Sequence, residues 1–453
     1  MHVSINGHVV GVPMAAPVRG GVDLSTLNFA LGGFDIDDIR ISSTERPLDA
    51  VPTEPFVADA QTLFLDHCET AGLNDRVVDG KFGNAHGGSG DLEIDRLARE
   101  GKRIVIFHEN WSRFQGYPDL AQVPQLRKTA DACHARGMIF LVYFNQDISN
   151  ACPEWSQMRD DLLRLPEELN YHRDDVVQDC YLACVNGPYG DLLLDGIAKL
   201  ADQAGIDGVY MDGTTVPWIC SNPSHPGCGE YIGDGNIRPH VTLRATRDFM
   251  KRLRQIFADR RKLFFLDAHT GGCINIATQS FCDGYFDGET LARYKPGFRL
   301  SPDTFLTGYM GKQFGFRGDF LPNRHSMDQA LAISLIHDSA TRGQPAEVDL
   351  AWGPYEGADT RLVPYWEHSS LYAIKPAAIL GSLYLKKDRA LLVLGSQSES
   401  QQTCDISVAA LLRSLPAGVK AVDAITGEAV PMIGGKLSFP VKARDWRMIE
   451  FKK

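Results

Sequence analysis

The sequence contains no uninterrupted apolar run of about 18 residues, the length a membrane-crossing helix needs, so none is expected. Basic charge is in short supply: 46 Lys and Arg stand against 57 Asp and Glu, a formal net charge of −11. Nucleic acids and anionic membranes are bound through excess basic charge, so neither is expected as a partner, whereas neutral sugars fit. No G-x-G-x-x-G or Walker loop follows the first apolar run, which removes the usual sign of a nucleotide-binding sheet. H-E-x-x-H, and an H-x-H on the first run, are missing too. The opening MHVSINGHVVGVP has no charged segment leading into an apolar one, so no signal peptide is expected. The chain reads as cytoplasmic or, if cut from a longer protein, as secreted or periplasmic. Its 10 cysteines are a moderate number. Cys68, Cys133, Cys273, Cys282 and Cys404 sit in or beside apolar segments and read as small hydrophobes. Two close pairs stand apart, Cys180/Cys184 and Cys220/Cys228.

What is present divides the chain into three styles. Its 453 residues are too many for one ordinary core. Residues 1–52 read as a short β segment, with Asn6-Gly7 between β-formers as a hairpin signal and polar–apolar alternation over Asp35–Ile41. Residues 53–374, opening on a linker at 53–61, alternate short apolar runs with helical patterns. The runs are Leu63–Leu65, Ile104–Phe107, Ile139–Phe144, Gly208–Met211, Leu263–Leu266, Gly284–Phe286 and Phe305–Tyr309; the helical patterns cover 120–137, 190–205, 243–261 and 329–343. Near-continuous apolar strands separated by helices imply a parallel sheet covered on both faces, and this number of units predicts an α/β fold, a (β/α)₈ TIM barrel. Residues 375–453 carry strand patterns at regular spacing and predict a C-terminal antiparallel β-sandwich.

Catalytic groups of such barrels lie at the C-terminal ends of the strands. The positions there are Asp66; His108, Asn110 and Trp111; Asn145; Asp212; Asp267 and His269; Asp287 and Glu289; and Tyr309. Polar and aromatic groups thus converge on one face from nearly every strand, which a merely structural barrel does not need. Trp218, in the long loop after Asp212, joins them as an aromatic platform on which a sugar could stack. Asp207 opens its strand at the opposite end and reads as structural.

The segment GIDGVYMDGTTVP (205–217) resembles the fourth-strand motif of retaining barrel glycosidases of the α-galactosidase and α-N-acetylgalactosaminidase type. The resemblance implies an O-glycosidic hydrolase in which Asp212 is the nucleophile, acting on α-galactosides or α-N-acetylgalactosaminides within an oligosaccharide, polysaccharide or glycoconjugate. Glycosidic cleavage needs two carboxylates, one ionised and one protonated. In the same group the acid follows the sixth strand, which favours Glu289, then Asp287; relatives that draw it from the fifth strand would favour Asp267. Asp66, His108, Asn110, Trp111, Asn145, Trp218, Asp267, His269 and Tyr309 would line the substrate. The stretch GFDIDDIRI (33–41) resembles the last strands of a laminin-G/concanavalin-like sandwich, and the loop after Asp212 is similar to that of bacterial proteins described as glycoside-hydrolase-like barrels.

Within that loop, Cys220, His225 and Cys228 form C-x₇-C with one internal His, off the pattern of zinc sites. A 220–228 disulfide or two free thiols is expected instead, with no metal ligand set and no cofactor. Two other functions stay open: a metal-dependent hydrolase or deacetylase acting on carbohydrate through His108, Asp212, Asp267 and His269, and a carbohydrate-binding barrel without activity.

Overall fold

The computed structural model describes residues 94–453 apart from 174–176, 262, 270–273, 290–299, 309–316, 323–324, 358 and 368. Before residue 94 it describes the backbone of five strands. Eight parallel strands form one sheet and follow one another round it in chain order. They are β1 (Phe82–Ala85), β2 (Ile104–Phe107), β3 (Ile139–Asn145), β4 (Gly208–Asp212), β5 (Phe265–His269), β6 (Gly284–Asp287), β7 (Arg317–Phe320) and β8 (Ala340–Thr341). This is the (β/α)₈ barrel. Every residue of β2 and β3 is buried, as expected of strands covered on both faces.

The connecting helices follow their apolar spacing. Leu243–Ala258 buries Leu243, Phe249, Met250, Leu253 and Phe257, one stripe at three- and four-residue steps. Pro188–Gln203 begins with Pro in its first turn, where the missing N–H costs nothing, and buries Leu193, Ile197 and Leu200. Burying each such side chain contributes about 1.5–3 kcal/mol. Gly208 opens β4 because no side chain fits there: a Cβ would lie 1.8 Å from the Phe265 carbonyl oxygen.

Two strand assignments and one helix assignment differ from expectation. Thr62–Asp66 is a strand, but it pairs antiparallel with Ile39–Ser42 outside the barrel, and the first barrel strand is the short β1. The stretch expected as the seventh strand, from Phe305, lies instead in the helix Pro302–Gly308. Its start explains why: Pro302 takes the first position and the Ser301 hydroxyl oxygen accepts the Thr304 N–H. The pattern over 329–343 is not one helix. It is Met327–Ser334, capped by reciprocal Ser326 and Gln329 bonds, then a 3₁₀ turn, a left-handed Asp338 at φ 58° and strand β8.

The terminal β-sandwich packs a five-stranded antiparallel sheet (361–363, 379–385, 390–396, 446–452, 420–423) on a three-stranded one (373–375, 402–407, 436–441). Leu392 and Leu394 from the first meet Cys404, Ile406 and Leu437 from the second. Trp352, Leu335 and Leu331 of the barrel join Tyr384, Leu391 and Met448 in another cluster, which seats the sandwich against the last barrel units. At the other end of the chain, Val3–Ile5 and His8–Val10 pair as the expected hairpin, with Ile5 opposite His8.

Candidate active site

Register fixes which side chains share the barrel interior. In β4, Asp212 lies beside Asn145 of β3 and His269 of β5; two residues earlier, Tyr210 lies beside Tyr143 and Asp267. Because side chains alternate along a strand, these are two successive layers on one face. Asp212 belongs to the outermost layer, and Gly213, at φ +66°, turns the chain away immediately after it.

Asp212 is held at both oxygens. The Tyr143 hydroxyl donates to Oδ2 at 2.8 Å, and Nδ1 of His269 lies 3.2 Å from Oδ1. Burial pushes this carboxyl up, but His269, the Tyr143 hydroxyl and His108 together outweigh it and hold the group below the usual carboxylate range. Asp212 is therefore ionised at neutral pH while its side chain keeps 35% of its exposure. His269 responds in the opposite sense. Burial lowers it, and Asp212, Glu289 and Asp287 raise it to a net value above that of an ordinary histidine. The Tyr210 hydroxyl lies 2.7 Å from the same Nδ1, and Nε2 is 3.6 Å from Glu289 Oε2. The imidazole thus bridges Asp212 and Glu289, whose side chain is 67% exposed at the rim.

The other acids differ in setting. Asp287 is buried, accepting from the Tyr285 hydroxyl and the Gly288 N–H, both at 2.6 Å. Asp267 is fully buried one layer below His269, 3.2 Å from Arg342, whose guanidinium also lies 2.7 Å from Asp319. Burial pushes the Asp267 carboxyl up to about 7, with Arg342 pulling the other way. The Arg342 guanidinium sits 3.7 Å from the Phe286 ring centre, filling the barrel axis. Asp267 is thus committed to Arg342. Among the described residues it forms no metal-holding group with His108, Asp212 and His269.

His108 packs against Tyr143, ring centres 4.4 Å apart and planes tilted by 34°. Asn145 is buried and donates to Asp147 at 2.6 Å, so it supports a neighbouring acid rather than a ligand. Burial pushes that Asp147 carboxyl up to about 7, while Asn170 donates to both of its oxygens. Trp111 is not a platform: it is 3% exposed, its indole N–H bonds the Tyr143 carbonyl at 2.6 Å, and Phe144 covers its edge. Trp218 is half-buried, donates to the Gly213 carbonyl and carries the Arg164 guanidinium over its ring. It lines a small pocket with Arg164, Gln146 and Thr214, two residues beyond Asp212. Tyr309 and the side chains of Asp66 and Asn110 lie outside the described residues. Asp207 is structural, bonding His134 at 2.6 Å and the Phe140 N–H at 2.9 Å at the far end of the barrel.

Tyr143, near a strand end, reads from the sequence as either core or an aromatic platform; its hydroxyl instead holds Asp212. Sequence reasoning passed over Tyr210, Asp319 and Arg342. Tyr210 is an apolar-looking strand residue whose hydroxyl is visible only once register is known. Arg342 was hidden inside a helical pattern. The cysteines also regroup: Cys180 parts from Cys184, and no 220–228 disulfide forms. Among the described residues, the one group able to hold a metal ion is Cys184, Cys220, His225 and Cys228.

No family model and no curated protein matches the chain. Solved structures do. An Anoxybacillus α-amylase aligns over 83% of this chain and 96% of its own at 11% identity, with a TM-score of 0.50. An α-amylase from Geobacillus thermoleovorans in complex with acarbose (11% identity, 83% and 97%, TM-score 0.49) and a GH27 β-L-arabinopyranosidase from Geobacillus stearothermophilus (12%, 82% and 96%, 0.48) also align. At such identity the likeness to the Anoxybacillus enzyme is one of fold alone.

Proposed function

We propose that the protein is a glycoside hydrolase that cleaves an O-glycosidic bond with two carboxylates. One observation carries this: an ionised, partly exposed Asp212 at the C-terminal end of β4, joined through one imidazole to an exposed Glu289 after β6. An oxocarbenium-like transition state needs a fixed negative charge beneath C1 and an acid at the leaving oxygen. Asp212 meets the first need, held by Tyr143 and His269 so that little reorganisation is left for the reaction. Glu289 meets the second from the rim, where its side chain can reach a leaving group. Nε2 of His269, 3.6 Å from Glu289 Oε2, orients that carboxyl toward the leaving group. Trp218, which carries the Arg164 guanidinium over its ring in the loop after Asp212, is the aromatic assigned to contact the sugar.

The finer reading follows the motif around Asp212. Asp212 attacks C1, the glycosyl-enzyme is hydrolysed with retention, and the substrate is an α-galactoside or α-N-acetylgalactosaminide. The α-amylase fold neighbour widens the panel worth testing to α-glucosides. A set of aryl glycosides, assayed with wild type and with Asp212→Asn and Glu289→Gln, tests the proposal. Wild type should cleave at least one. Asp212→Asn should abolish that cleavage, and Glu289→Gln should lose far more on poor leaving groups than on activated ones. Cleavage of none by wild type, or full activity in Asp212→Asn, would sink the reading.

A further inference from the structure

The loop between β4 and the helix Leu243–Ala258 carries Cys220, His225 and Cys228; the turn before the helix Pro188–Gln203 carries Cys184. All four are buried, and their sulfur and ring-nitrogen atoms lie within 4.8 Å of one another. Cys184 Sγ is 3.8 Å from Cys228 Sγ, and Cys220 Sγ is 3.6 Å from His225 Nδ1. A tetrahedral zinc, with Zn–S of about 2.3 Å and Zn–N of about 2.0–2.1 Å, sets its sulfurs about 3.8 Å apart and sulfur from nitrogen about 3.5 Å apart. Both separations match. A disulfide would need about 2.05 Å.

The surroundings point the same way. His225 Nε2 is 2.8 Å from the Asp161 carbonyl oxygen, so Nε2 carries the proton and Nδ1 turns its lone pair toward the three sulfurs. A backbone carbonyl on the far ring nitrogen is the usual support of a metal-bound histidine. The Asn222 N–H donates to Cys220 Sγ at 3.4 Å and the Asn186 amide to Cys228 Sγ at 3.2 Å, contacts that stabilise thiolates. Gly187 lets the ring in: a Cβ there would lie 2.5 Å from His225 Nε2.

We propose that Cys184, Cys220, His225 and Cys228 bind one Zn²⁺ as a closed structural site. Three thiolates and an imidazole are a soft, tetrahedral donor set that selects zinc over the oxygen-seeking cations. Four protein ligands and full burial leave no open position, so the ion does not take part in catalysis. Its work is to clip the loop after Asp212 to the start of the helix Pro188–Gln203. Trp218 stands two residues before Cys220, so the ion also sets the position of that ring.

The test uses the full chain, purified without chelator, under reductant and reloaded with Zn²⁺. Metal analysis should find one zinc per chain. Cys220→Ser and His225→Ala should each lose most of it, and Cys180→Ser, a buried cysteine outside the group, should keep it. Co²⁺ exchanged into wild type should show the intense visible bands of a tetrahedral ion and sulfur-to-metal charge transfer. This readout needs no variant, so a misfolded mutant does not blunt it. A folded wild type that retains no metal after reloading, a cobalt spectrum without thiolate bands, or full zinc retention in folded Cys220→Ser would overturn the site. None of these readings involves a sugar, so they stand apart from the fate of the glycosidase proposal.

Discussion

Asp212 and Asp267 sit on neighbouring strands, one layer apart inside the same barrel, and their carboxyls are displaced in opposite directions. Asp212 is partly exposed, faces a histidine and a tyrosine hydroxyl, and is held ionised. Asp267 has no exposure, shares one guanidinium with Asp319, and is held close to neutral. Two carboxylates around one buried cation leave one negative charge unbalanced, and burial makes it costly. Depth within the barrel, more than residue type, therefore separates the acid suited to chemistry from the acid that fills the axis.

Substitution should split the two cleanly. Asp212→Asn should cut kcat by about 10³-fold or more with an unchanged Tm, because a group acting on the transition state is lost while packing is kept. Asp267→Ala should do the reverse. Asp319 still balances the charge of Arg342, but the truncation leaves a buried guanidinium N–H without its acceptor and should cost about 1–3 kcal/mol in urea unfolding. A kcat collapse with full stability in Asp267→Ala would erase the distinction drawn between the layers.

The same contrast has a pH signature. Asp267 is raised from 3.8 to about 7 in the folded state. Between those values the native protein holds a proton that the unfolded chain has released, so stability from this group is present near pH 4 and falls as pH rises to about 7. Asp147, also raised to about 7, adds in the same direction. Urea midpoints for wild type and Asp267→Asn should show a shallower decline in the variant. Parallel curves would mean that Asp267 does not hold its proton.

The barrel was legible in the sequence where its strands are apolar, as in Ile104–Phe107 and Ile139–Asn145. It was obscure where function or topology made them otherwise. The stretch Phe82–Ala85 is short and holds a glycine, while the more apolar Thr62–Asp66 belongs to another sheet. The strand Arg317–Phe320 carries the inward Asp319 needed by Arg342, so its polarity hid it. Strand ends gave Asp212, His269 and Glu289 correctly as one neighbourhood. They could not tell Trp111 from Trp218, because burial of an aromatic depends on what packs over it. The cysteine group escaped for a different reason: Cys184 lies far along the chain from Cys220, and only the fold closes that distance.

The smallest effect concerns the imidazole between the two acids. His269 supplies the strongest forces that hold Asp212 down against burial, through its hydrogen bond and its charge. His269→Gln keeps a donor of similar reach but removes the charge. Burial then gains ground, and the Asp212 carboxyl moves up. Since Asp212 must be ionised to act, the acid limb of kcat/KM should shift to higher pH, while the rate on the plateau falls by about tenfold at most. The Tyr143 hydroxyl remains in place and keeps the shift partial. A lower plateau with an unmoved acid limb would make His269 a substrate contact only, and the low value of Asp212 would then rest on Tyr143 and His108.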